Sequence, residues 1–71
     1  SIISMVDKKY ILNLRNSNLG SKQIAKMLRT NTTLHELFLN NNNICPEGVA
    51  EISKSLYANT SLRVLDLSCN N

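Results

Sequence analysis

The sequence predicts an α/β solenoid, with short parallel strands on a concave face and helices on the convex face. Three observations lead there. First, residues 34–42 carry Leu34, Leu37, Leu39 and Asn42, and the frame returns 28 residues later as Leu62, Leu65, Leu67 and Asn70. Second, Gly20, Ile24, Lys26, Leu28, Asn31 and Thr32 have identical counterparts at Gly48, Ile52, Lys54, Leu56, Asn59 and Thr60, all at that same offset. Third, the stretches between the frames have helical spacing, whereas the frame itself is neither strictly alternating nor helical. A short strand and a helix of a few turns cannot enclose a core alone. Stacked copies can, with strands side by side, helices opposite and leucines between.

Taken in order, residues 1–8 read as a cap or the end of a preceding repeat, with Ile3 in the place of Leu28 and Leu56. Residues 9–33 form a shortened first copy. Its strand, residues 10–14, places Leu12, Leu14 and Leu19 against Leu37, Leu39 and Ile44 at a shift of 25, while Lys9 and Ser17 replace the expected leucine and asparagine. Atypical outer copies are usual in stacked repeats. The helix spans Ser21–Thr30, with Ile24, Ala25 and Leu28 on one face, Lys22, Lys26 and Arg29 on another, and Ser21 as its expected cap. Residues 34–61 make one complete copy, and residues 62–71 begin a third.

The second helix is expected over residues 46–58, lengthened by up to a turn by the inserted Cys45-Pro46-Glu47. Val49, Ile52 and Leu56 face inward, Pro46 suits a first helical position, and Glu47 and Glu51 suit the positive end of the helix. Both helices should stop at Asn31 and Asn59, where asparagine tolerates a left-handed exit. The expected interior is Leu37, Leu39, Ile44, Val49, Ile52, Leu56, Leu62, Leu65 and Leu67. Asn42 and Asn70 should bond backbone groups of adjacent turns as a ladder. The third copy stops at its strand exit, so the chain reads as a fragment of a longer array or a piece completed by oligomerisation, and its open ends could self-associate.

Composition narrows the function. The 71 residues allow one small domain, 42% hydrophobic but only 4% aromatic, so the core must be aliphatic. No apolar run reaches the ~18 residues of a membrane span. Cys45 and Cys69 are too few for a disulfide framework and lack the companions of a zinc site; small, semi-buried thiols in a reducing, cytoplasmic setting are expected. The net charge of +3 is uneven: residues 1–33 carry Lys8, Lys9, Arg15, Lys22, Lys26 and Arg29 against Asp7, a net +5, and residues 34–71 a net −2. Without interleaved aromatics, this basic end reads as a solvated outer helix before a nucleic-acid site.

The run Leu34-x-x-Leu37-x-Leu39-x-x-Asn42-x-Ile44, continued by Gly48, Ile52, Leu56 and Asn59-Thr60-Ser61-Leu62, resembles the ribonuclease-inhibitor-type leucine-rich repeat over residues 9–71. The resemblance implies a binding scaffold. It is shared by ribonuclease inhibitor, NACHT-containing receptors, tropomodulin-like actin-filament cappers and Ran GTPase-activating protein, so it does not choose among them.

If the leucines point inward, the residues between them face the concave surface. They fall into columns Ile11/Glu36/Val64, Asn13/Phe38/Asp66, Arg15/Asn40/Ser68 and Asn16/Asn41/Cys69, flanked by Tyr10/His35/Arg63. The partner-binding residues expected there are Tyr10, Asn13, Arg15, His35, Glu36, Phe38, Asn40, Arg63, Asp66 and Ser68. Phe38 leads, because no framework duty explains it, and Tyr10, Arg15 and Arg63 are the chemistry of binding anchors. Arg63 and Asp66 are expected to form a surface ion pair. His35 has no acid or nucleophile at useful spacing. No nucleophile–base pair, metal cluster or phosphate loop appears, so neither an enzyme nor a cofactor is expected. Asn31-Thr32-Thr33 and Asn59-Thr60-Ser61 fit the glycosylation pattern, but their repeated position points first to turn chemistry.

The first expectation is therefore a scaffold for a protein partner. The alternatives are a regulatory segment of a GTPase activator, actin capper or nucleotide-switched sensor, and, less favoured, nucleic-acid binding through Lys22, Lys26 and Arg29.

Overall fold

The computed structural model describes residues 9–70; the cap expected over residues 1–8 lies outside them. The elements alternate as β1 (Ile11–Asn13), α1 (Ser21–Thr30), β2 (Glu36–Phe38), α2 (Pro46–Ser55) and β3 (Val64–Asp66). The strands form one parallel sheet in the order β1-β2-β3. Leu12 pairs with Leu37 and Leu37 with Leu65, which are the 25- and 28-residue shifts visible in the sequence.

Alternation along each short strand sends the leucines toward the helices. Leu12, Leu14, Leu34, Leu37, Leu39 and Ile44 form one buried cluster with Ile24, Met27, Leu28 and Ile52. The interior thus extends further into the first copy than expected. In contrast, Val49, Leu56, Leu62, Leu65 and Leu67 are only half-buried against the cluster. The reason is local: β1 is followed by α1 and β2 by α2, whereas no described helix follows β3.

The helices depart from expectation at their ends. The residue capping α1 is Gly20, with no side-chain cap, and Ser21 is the first helical residue. Pro46 opens α2 as expected, but α2 has ten residues like α1 rather than an added turn. The inserted residues move the start of α2 earlier in the frame, and its end moves with it. Beyond Ser55 the chain tightens into i→i+3 bonds, Tyr57 N–H to Lys54 O at 3.2 Å and Ala58 N–H to Ser55 O at 3.1 Å. Gly48 is required where the helices meet. A Cβ there would lie 2.8 Å from Ile44 Cγ2 and 2.9 Å from Ser21 Cβ.

The strand exits are held by the expected ladder. Asn42 is 3% exposed. Its amide donates to Leu14 O at 2.8 Å and Leu39 O at 2.9 Å, and its Oδ1 accepts from Ser17 N–H at 2.9 Å and, at a longer 3.4 Å, from Leu19 N–H. Asn70 repeats every bond one copy later. It donates to Leu39 O and Leu67 O and accepts from the N–H groups of Asn42 and Ile44. The backbone turns left-handed on either side of Ser17 and of Asn42, at Asn16, Asn18, Asn41 and Asn43 with φ of 51–60°, and just before Asn70 at Cys69 with φ 56°. This accounts for the run of asparagines, the side chain that best tolerates that region after glycine.

The helix exits work differently. Asn31 is extended, with φ −75° and ψ 135°, so the left-handed exit expected there is not adopted. Its Oδ1 instead accepts from Thr33 N–H at 3.0 Å and Leu34 N–H at 2.8 Å. Asn59 does the same for Ser61 and Leu62, while its amide reaches back to Leu28 O at 2.8 Å and Asn31 O at 3.0 Å. A glycan on that nitrogen would remove one of the two hydrogens it donates, so turn chemistry explains the repeated Asn-Thr-Ser/Thr triplets.

Candidate protein-binding face

The sheet face opposite the helices carries the residues between the leucines. Register places Ile11, Glu36 and Val64 in one row and Asn13, Phe38 and Asp66 in the next. The flanking residues Tyr10, His35 and Arg63 follow the same order: His35 N–H donates to Tyr10 O at 2.7 Å and Arg63 N–H to His35 O at 2.8 Å. At the other end, Asn16 N–H bonds Asn40 O and Asn41 N–H bonds Ser68 O, which brings the Arg15/Asn40/Ser68 column to the strand exits. These backbone pairings bring the ten expected contact residues to neighbouring positions along the three strands and their flanks.

Their duties are unequal. Asn13 Oδ1 accepts from Arg15 N–H at 3.0 Å, and Asp66 Oδ1 accepts from Ser68 N–H at 2.9 Å and Ser68 Oγ–H at 2.6 Å. These turns close the strand exits. They also overturn the expected ion pair: among the described residues Asp66 is bound by Ser68, and no ion pair joins it to Arg63. The Ser68 hydroxyl and then its backbone N–H hold the Asp66 carboxyl below the ordinary aspartate range. Phe38, at the middle of the same row, has no such polar role and is half-buried.

Tyr10 is 68% exposed, with its ring 4.9 Å from that of His35 and inclined by 71°. The His35 Nδ1 lies 2.8 Å from Thr33 O. A carbonyl there requires Nδ1 to carry the proton, so the histidine is anchored to the chain beneath it. Arg15 and Arg63 are exposed at opposite ends of the face, and Glu36 and Asn40 are half-buried.

Two residues that sequence reasoning placed in the columns but left out of the contact set stand out. Ile11 is 57% and Val64 44% exposed, one on each side of Glu36. The signal was their apolar character at positions with no inward duty, but aromatic and arginine anchors were favoured over aliphatics. The helical surface differs: Lys22, Gln23, Lys26 and Arg29 of α1 and Glu47 and Glu51 of α2 are exposed. The Glu47 carboxyl is held below its ordinary range by its own backbone N–H and then the Cys45 side chain.

Cys45 and Cys69 are free thiols and both exposed, which corrects the expectation of semi-buried ones. Among the described residues no group of three or more His, Cys, Asp or Glu could hold a metal, and no helix is long and apolar enough to cross a membrane.

No curated protein and no solved structure matches the chain. A family model described as leucine rich repeat matches residues 30–53 and 58–71, together more than half of the sequence and taking in β2, most of α2 and β3. Members of this family commonly mediate protein–protein interaction. Parallel strands, inward leucines and asparagine-bonded exits agree with that match: the chain belongs to the leucine-rich repeat family.

Proposed function

We propose that the chain is a protein-interaction scaffold that binds a partner protein through the free face of its sheet and the rim formed by Tyr10, Arg15 and Arg63. In this reading the copies are turns of a ribonuclease-inhibitor-type solenoid and the free face is its concave side. The observation that carries the proposal is the contrast between the two surfaces. Tyr10, Ile11 and Val64 are exposed near Phe38 on and beside the sheet, while α1 presents lysines and arginine to solvent and Tyr57, beyond α2, is the one exposed large hydrophobic away from the strands among the described residues. Exposed apolar groups gathered on one face mark contact surfaces. Two exposed thiols without a disulfide suit the reducing cytoplasm.

The test is a photo-crosslinking amino acid placed at Phe38 and, separately, at Gln23 on α1. Partner protein should crosslink from position 38 and not from position 23. Crosslinks from position 23 alone would reject the sheet face. Circular dichroism of both variants checks that the fold is kept.

A further inference from the structure

The row Ile11–Glu36–Val64 has an internal chemistry of its own. Glu36 is half-buried between two exposed aliphatic side chains. Among the described residues its carboxylate has no hydrogen-bond or ion-pair partner, and Arg15 and Arg63 do not reach it. A carboxylate framed by apolar surface interacts more strongly with an arriving cation than one in open water, because the covering groups exclude solvent.

The spacing selects the shape of what arrives. Neighbouring strands lie about 4.8 Å apart, so Glu36 is about 5 Å from each aliphatic neighbour in the row and Ile11 about 10 Å from Val64. An extended segment crossing the strands presents same-side residues about 6.8 Å apart, a repeat out of step with the row's spacing of about 5 Å. A helix crossing them rises about 1.5 Å per residue, so positions i, i+3 or i+4, and i+7 fall at about 0, 5 and 10.5 Å. These positions also share one helical face.

We infer that the partner presents an amphipathic helix across the strands, with aliphatic residues at i and i+7 over Ile11 and Val64 and an arginine or lysine at i+3 or i+4 over Glu36. Arginine fits best, since its planar fork can bond both carboxylate oxygens while its stem lies on the neighbouring aliphatics. The inference rests on the sheet-face reading above and adds the class of ligand to it.

The probe is an alanine-based helical peptide with leucine at i and i+7 and arginine at i+4, titrated into the isotopically labelled protein and followed by NMR. A matched peptide carries glutamate in place of the arginine. The arginine peptide should bind about tenfold more tightly than the glutamate peptide, with shifts centred on Ile11, Glu36 and Val64. Glu36→Gln should bring the two affinities together, and Glu36→Arg should reverse their order. Both substitutions change only a half-buried side chain that has no bonded partner, so the folded spectrum should persist.

Equal affinities for the wild-type protein, or an order that Glu36→Arg leaves unchanged, would overturn the charge pairing. A proline-interrupted arginine peptide binding as well as the helical one would overturn the helical ligand. Absence of binding by every peptide would overturn the inference alone if crosslinks from position 38 are found. If those crosslinks are also absent, the sheet-face reading falls with it.

Discussion

The first two copies each have two junctions, strand to helix and helix to strand, and asparagine holds both by different means. At the strand exit, Asn42 is buried and bonds the backbone of two copies at once. At the helix exit, Asn59 is half-buried and joins the ends of successive helices. The same amide therefore does similar work at two levels of solvent access. The difference should set the cost of losing it: water can replace bonds at the half-buried junction but not at the buried one.

The largest expected effect follows at the buried junction. Asn42→Ala leaves the Leu14 and Leu39 carbonyls and the Ser17 N–H without their partner, and should cost about 3–5 kcal/mol from several unsatisfied groups. A chain of this length has on the order of 4–10 kcal/mol in all, so the urea midpoint of the variant should fall to roughly half that of the unchanged chain or below. A loss below about 1 kcal/mol would mean that solvent reaches this junction after all.

Asn59→Ala should be milder, about 1–2 kcal/mol, because water can reach its half-buried partners. Parallel urea titrations test the ranking, which fails if Asn59→Ala proves the more damaging. The smallest effect lies beside the ladder. Cys69 occupies the left-handed place that asparagine fills at position 41, and Cys69→Asn should raise stability by about 0.5–1 kcal/mol by relieving that strain. An unchanged denaturation midpoint would show that the strain is already relaxed in solution.

The contrast also shows what could be seen in the sequence. The leucine frame and the role of Asn42 were legible because inward positions repeat at a fixed offset and a buried amide must find partners. Asn31 was misread because asparagine can end a helix by adopting the left-handed region or by bonding the following N–H groups, and its own residue type does not say which. The half-exposure of Leu65 was hidden for a related reason: burial depends on the element that follows, not on the leucine. On the face, strand pairing sets Ile11, Glu36 and Val64 in one row and Asn13, Phe38 and Asp66 in another, as the repeat frame expects, while the bonds from the oxygens of Asn13 and Asp66 to the backbone two residues on are not legible from residue type alone. Sequence columns show which way a side chain points, not whether it is already occupied.

The bonds of each ladder asparagine to its neighbouring copy run backward along the chain, from Asn42 to Leu14 and Ser17 and from Asn70 to Leu39 and Asn42. Such a seam has an order in time. As the polypeptide leaves the ribosome, the turn after β1 exposes its amides and carbonyl until Asn42 emerges, and the turn after β2 waits in the same way for Asn70. The exits after β1 and β2 are thus each fastened by the copy that follows, so the order of synthesis sets the order in which they can close.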